Sequence, residues 1–117
     1  MARIRHLAIL TEDVDKLVKF YTSAFGLKIV HGIGTATYLS DGHINLAIIP
    51  IGPERKIEGP ELKTGIYHFG FEVENVKAIE EATQTTAESN TYGAVAESWI
   101  RDLEGNRVDI TEHGWPI

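Results

Sequence analysis

The chain has 117 residues, 43% of them hydrophobic, enough for one folded domain with a core of its own. A formal charge of −6 without a basic cluster argues against nucleic acid or an anionic membrane as partner, and the absence of cysteine excludes disulfides, thiolate metal sites and a cysteine nucleophile. No apolar run resembles a signal peptide or reaches bilayer length, so a soluble cytoplasmic protein is expected.

Residues 4–10 alternate and read as a strand, with Leu7 and Ile9 on one face and His6 and Ala8 on the other. Thr11-Glu12-Asp13 supplies capping chemistry for a helix over about residues 13–24, stopped at Gly26. Val14, Leu17, Val18, Tyr21 and Phe25 form its expected buried stripe, and core packing is the preferred role for Phe20, Tyr21 and Phe25. Strands over residues 27–31 and 35–40 follow, and Asp41-Gly42 signals a tight hairpin turn into a strand over 43–49. Ile44, Leu46 and Ile48 take its core face; His43, Asn45 and Ala47 take the other. The first half therefore reads βαβββ. Residues 50–64, rich in proline and glycine, read as a surface linker, or as a lid over a cavity.

The strand over residues 66–73 opens the second half. Tyr67, Phe69, Phe71 and Val73 make a large apolar face suited to lie under a helix. Ile66, His68 and Gly70 share the opposite face, where the bare glycine suggests an open, partly polar interior. Glu74-Asn75 starts a helix that carries Val76, Ile79 and Ala82 inward. Residues 83–93 are polar and unpatterned. A strand over 95–101 carries Trp99, a turn occupies 102–106, and a strand over 107–111 closes the half. Val108 and Ile110 face the core there; Arg107, Asp109 and Thr111 face away.

The halves repeat. Ile4 matches Ile66, His6 matches His68, Leu7 matches Phe69, Ala8 matches Gly70, Glu12 matches Glu74, Val14 matches Val76 and Leu17 matches Ile79. Module one spans about residues 1–50, the linker about 51–64 and module two about 65–117, within a single domain. Aligning Ile44-Asn45-Leu46 with Val108-Asp109-Ile110 yields four equivalent polar positions: His6, Asn45, His68 and Asp109. Two imidazoles and one carboxylate on the non-core faces suit a divalent metal with positions left open for substrate and water. Such a set is typical of non-haem Fe(II), and Zn, Mn, Ni or Co also fit. The plainer alternatives are structural or surface histidines and an Asp109 that is solvated or paired with Arg107. Asn45 is a weak ligand, better suited to hydrogen-bond a bound water or substrate. Glu112 competes with Asp109 only if a bulge reverses its face. His31, His43 and His113 read as surface residues, with His43 near enough to the cavity for general acid or base work.

The paired βαβββ modules, His6, His68, the run Arg101-Asp102-Leu103-Glu104-Gly105-Asn106 followed by Val108-Asp109, and the Gly114-Trp115 tail resemble the vicinal oxygen chelate superfamily over nearly the whole chain. That superfamily includes glyoxalase I, extradiol dioxygenases, methylmalonyl-CoA epimerase and the bleomycin and fosfomycin resistance proteins. The resemblance implies an α+β fold whose modules form a cupped, partly open mixed sheet barrel with the helices outside. It places the family's ligand positions on His6, Asn45, His68 and Asp109. Asn45 stands where glyoxalase I usually carries a carboxylate. The remaining set is closer to the ring-cleaving dioxygenases, although those usually carry Glu where Asp109 stands; Tyr38 and His43 are the stand-ins for their acid–base pair. The implied function is a metal-dependent dioxygenase or lyase/isomerase acting on vicinal oxygens of a small substrate, in a homodimer whose sites form within one chain or across two. The rival is a metal-free binding protein of the bleomycin-resistance type, with Tyr38, Trp99 and the loop over residues 50–64 lining its pocket.

Overall fold

A computed structural model of the chain describes residues 1–33, 35–52, 63–90 and 95–117. The duplicated pattern folds as βαβββ twice: β1 (Arg3–Thr11), α1 (Val14–Phe25), β2 (Lys28–Ile33), β3 (Ala36–Ser40) and β4 (Asn45–Pro50), then β5 (Gly65–Glu72), α2 (Val76–Thr83), β6 (Glu88–Ser89), β7 (Ser98–Arg101) and β8 (Arg107–Thr111). The unpatterned run over residues 83–93 holds the two-residue β6, which pairs Glu88 with Trp99 and Ser89 with Ser98. The strand expected over 95–101 pairs only from Ser98. The linker or lid expected over residues 50–64 lies mostly outside the described residues; at its ends, Pro50 closes β4 and Gly65 opens β5. No helix among the described residues is long and apolar enough to cross a membrane.

Local chemistry sets the boundaries. Asp13 Oδ1 accepts the Lys16 N–H at 3.1 Å to start α1, and Asn75 Oδ1 accepts the Ala78 N–H at 2.9 Å to start α2. Gly26 closes α1 in the left-handed region at φ +70°, whereas α2 ends on a non-glycine residue in that region, Gln84 at φ 55°. The two equivalent turns are built on aspartates. Asp41 Oδ1 accepts the N–H groups of His43 and Ile44, both at 2.8 Å. Asp102 Oδ1 accepts those of Glu104 and Asn106, both at 2.9 Å. The Asp41-Gly42 turn is therefore wider than the two-residue hairpin expected, and β4 begins at Asn45 rather than His43.

Hydrogen-bonded strands follow the order β2-β3-β4 in the first half and β5-β8-β7-β6 in the second. Two compact units divide the chain: Leu7–Tyr67 with Pro116–Ile117, and Met1–His6 with His68–Trp115. In the Leu7–Tyr67 unit, β2, β3 and β4 form antiparallel ladders, and Ala8, Leu10, Leu39, Ala47 and Ile48 are at most 1% exposed. Val14, Leu17, Val18 and Tyr21 of α1 are half-buried, as their spacing requires. Phe20 and Phe25 are not core residues: they are 53% and 67% exposed. Phe20 falls about 120° round the helix from the stripe. Phe25 is on the stripe but is the last helical residue, where the chain turns away at Gly26. Their rings instead pack against each other and Tyr21 on the helix surface, with centroids 5.1–6.0 Å apart.

In the unit of residues 1–6 and 68–115, β5 and β8 run parallel, with Phe69 opposite Val108 and Gly70 opposite Asp109. β7 and β8 run antiparallel, with Trp99 opposite Asp109 and Arg101 opposite Arg107. Face parity is as the alternation predicts, and both faces carry buried residues. On the apolar face Val73, Val108 and Ile110 are buried as expected, whereas Tyr67, Phe69 and Phe71 are half-buried, and a groove of about 560 Å³ is lined by Phe69, Phe71, Ile79, Val108 and Ile110. His68, Gly70 and Asp109 on the opposite face are buried too. The open interior expected beside Gly70 is filled: a Cβ there would lie 2.6 and 2.8 Å from ring carbons of Trp115. Glu112 needs no bulge. Its Oε2 accepts the Val76 N–H at 2.8 Å, at the start of α2.

Candidate metal centre

His6 on β1, His68 on β5 and Asp109 on β8 come together in one unit, at 3%, 6% and 4% exposure. Each faces away from the apolar groove because strand side chains alternate. His6 Nε2 lies 3.1 Å from His68 Nε2, which lies 3.1 Å from Asp109 Oδ2. One ligand atom from each residue falls within 4.8 Å of the others. This convergence is hard to satisfy with protons alone. A single Nε2–H on His68 can point squarely at the second imidazole or at the carboxylate but not at both, so one of the two close approaches is left without a well-directed proton. A cation among the three atoms resolves it. Metal–ligand bonds of about 2.1 Å at right angles separate neighbouring donors by about 3.0 Å, close to both observed edges. The donor set therefore fits a divalent metal.

The surroundings hold these groups in place. Trp115 stacks on His6 with centroids 4.5 Å apart and planes 1° from parallel, and is itself 7% exposed. Its ring lies against Gly70, where a larger residue would collide with it. Asp109 Oδ1 accepts the Arg107 Nε–H at 3.1 Å. Arg107 Nη2 donates to Asn90 Oδ1 at 2.6 Å, and its guanidinium carbon lies 4.7 Å from the Trp99 ring centre. Burial by itself would raise the Asp109 carboxyl; the hydrogen bond and charge of His68, then the charge and hydrogen bond of Arg107, outweigh it and hold Asp109 below the usual carboxylate range. The pairing of Asp109 with Arg107, weighed from sequence as a plainer alternative, is present together with the histidine cluster, one on each carboxylate oxygen.

The other candidates belong to the Leu7–Tyr67 unit. Asn45 is fully buried and its Nδ2 donates to the Pro116 carbonyl at 2.7 Å. Tyr38 is buried with its ring 6.4 Å from that of His31. His43 is exposed in the Asp41 turn, and His31 and His113 are also exposed. Trp115 and Asn90 were not assigned to the site from sequence, and Arg107 entered only as a possible partner of Asp109. Trp115 had a signal in the Gly114-Trp115 pair. Arg107 shares a strand face with Asp109, a visible parity. Asn90 had none, lying in the unpatterned run.

The Glyoxalase/Bleomycin resistance protein/Dioxygenase superfamily profile matches residues 3–110, and the chain belongs to that family. No curated protein matches it closely. Among solved structures, a hypothetical protein from Bacillus halodurans is 16% identical with a TM-score of 0.73, covering 93% of this chain and 92% of its own. Methylmalonyl-CoA epimerase from Mycobacterium tuberculosis is 17% identical with a TM-score of 0.69, covering 92% and 85%. An extradiol ring-cleaving dioxygenase from B. fuscum is 15% identical with a TM-score of 0.69, covering 98% of this chain but 33% of its own. At such identities the likeness is one of fold.

Proposed function

We propose that this chain is a metal-dependent enzyme that grips two neighbouring oxygens of a small substrate. The observation that carries the reading is the meeting of His6 Nε2, His68 Nε2 and Asp109 Oδ2 in a buried spot. A divalent ion held there, Fe(II) first and Zn, Mn, Ni or Co as alternatives, supplies Lewis acidity toward an enolate or catecholate oxygen. His6 and His68 supply lone pairs, with the plane of His6 set by Trp115. Asp109 supplies the one negative charge. Tyr38 and His43 are the proposed acid–base groups and Asn45 a hydrogen-bonding one; Tyr38→Phe and His43→Gln variants test the former through turnover at unchanged metal content. We also take the chain to be a cytoplasmic homodimer. Exposed Ile29 and Ile66, at 61% and 76%, offer apolar surface to a second copy, and light scattering tests it.

Metal analysis of the purified protein, followed by oxygen uptake with a panel of catechols, tests the enzyme reading. Iron with oxygen consumption supports ring cleavage, the chemistry named for one fold relative. Another metal with proton exchange at carbon next to a carbonyl supports isomerisation, the class of the other. One observation favours a second reading, a small-molecule binding protein: Trp115 fills the space above Gly70 where a substrate would be expected. Protein that neither contains nor titrates a divalent metal supports that reading and refutes the first.

A further inference from the structure

We propose that Arg107 is a positioning residue that commits Asp109 to gripping the metal through Oδ2 alone. The inference rests on the metal reading of the His6, His68 and Asp109 cluster and adds to it how one ligand is aimed. A carboxylate has two equivalent oxygens and can present one or both to an ion. Here they are made unequal. Oδ1 accepts the Arg107 Nε–H at 3.1 Å, and Oδ2 lies 3.1 Å from His68 Nε2, on the side of the two imidazoles. Rotating the carboxylate to offer both oxygens breaks the bond to Nε.

Arg107 can impose this because it is itself held on three sides. Nε is on Asp109, Nη2 is on Asn90 Oδ1 at 2.6 Å, and the guanidinium carbon lies over Trp99, 4.7 Å from the ring centre. The β7–β8 ladder sets Trp99 directly opposite Asp109, so the stacking surface arrives in register with the residue to be aimed. At 9% exposure the guanidinium is shielded from water that would compete for these bonds. A lysine reproduces the charge but not the fork or the flat stacking face.

Positioning and bare charge make opposite predictions. A buried cation beside a ligand repels an incoming metal, so if charge were the whole effect, removing it would tighten metal binding. If aiming dominates, removing it weakens binding by about 10–100-fold, the usual consequence of losing a partner that orients a ligand. The test titrates metal-free protein with Zn(II) against a chromophoric chelator, for wild type, Arg107→Met, Arg107→Lys and Asn90→Ala. Far-UV circular dichroism and melting of each metal-free form check folding. Expected are weaker binding in Arg107→Met and Arg107→Lys, and a smaller loss in Asn90→Ala, which frees the guanidinium without removing its charge. The Co(II)-loaded variants are expected to show weaker visible absorption than wild type, as the freed Oδ1 raises the coordination number. Should Arg107→Met not fold, Arg107→Lys and Asn90→Ala decide the matter. Unchanged or tighter binding in the folded variants, with wild type binding metal, overturns the positioning role alone. A wild type that binds no metal is a different result: it refutes the metal reading, and this role with it.

Discussion

Gly70→Ala adds one methyl group where β5 comes closest to the Trp115 ring. The new Cβ would stand 2.6 and 2.8 Å from two ring carbons of Trp115 and 3.1 Å from the Asp109 carbonyl oxygen. Carbon–carbon contacts are most favourable at about 3.5–4.0 Å, so the indole must retreat by roughly 1 Å. It has little room: Trp115 is 7% exposed and stacked on His6. The third contact is backbone and yields less readily. Overpacking a close-packed site costs about 1–3 kcal/mol, and two rigid partners place this case at about 2–3 kcal/mol. Urea unfolding measures it as a lower midpoint at an unchanged slope. The decisive control is the same change in a Trp115→Phe background, because phenyl lacks the two carbons that collide. There Gly70→Ala is expected to cost no more than about 1 kcal/mol, leaving a coupling of about 1–2 kcal/mol between the positions. A single substitution within about 0.5 kcal/mol of wild type, or additivity in the double mutant, refutes the claim that Trp115 rests on Gly70.

The α2 cap is tested by Asn75→Ala, which removes the acceptor of the Ala78 N–H and is expected to cost about 1 kcal/mol in urea unfolding. Gln84→Gly at the other end relieves a left-handed backbone at φ 55° and is expected to stabilise by about 0.5–1 kcal/mol despite losing the Nε2 bond to the Glu81 carbonyl; a lower melting temperature contradicts it. Asp102 is held below the usual carboxylate range, first by the Asn106 side chain and then by the Asn106 N–H. Its charged form therefore stabilises the fold at pH above the unfolded value of about 3.9, and that contribution disappears as pH falls through the lower folded value. Asp102→Asn is accordingly expected to be less stable than wild type near neutrality and to converge on it below about pH 4; a gap that stays constant from about pH 7 to about pH 3 refutes the assignment.

Parity and repetition made the donor set readable. Strand side chains alternate strictly, so His6, His68 and Asp109 could be placed off the core face by counting along each strand, and the duplication made two of them equivalent. The caps at Asp13 and Asn75 were equally local, since a short polar side chain reaches an N–H three residues on. The Asp41 turn was located correctly but drawn too tight, because the dipeptide signal does not reveal that the Asp41 carboxylate itself would hold two N–H groups. Glu112 falls on the opposite strand face from Asp109 by the same count, but its partner at the Val76 N–H depends on where α2 begins in space.

What covers each face was beyond the reach of any local pattern. Alternation says that Phe69 and His68 point to opposite sides of β5; it does not say how much arrives to bury either. Trp115 lands on His6 and Gly70, Asn90 meets Arg107 from an unpatterned run, and α2 stops too soon to close the apolar groove. The sequence by itself determined which side chains share a face, because that follows from backbone geometry one residue at a time. Only the tertiary structure decided how fully each of those faces was covered, because burial is settled by whichever distant segment comes to rest there.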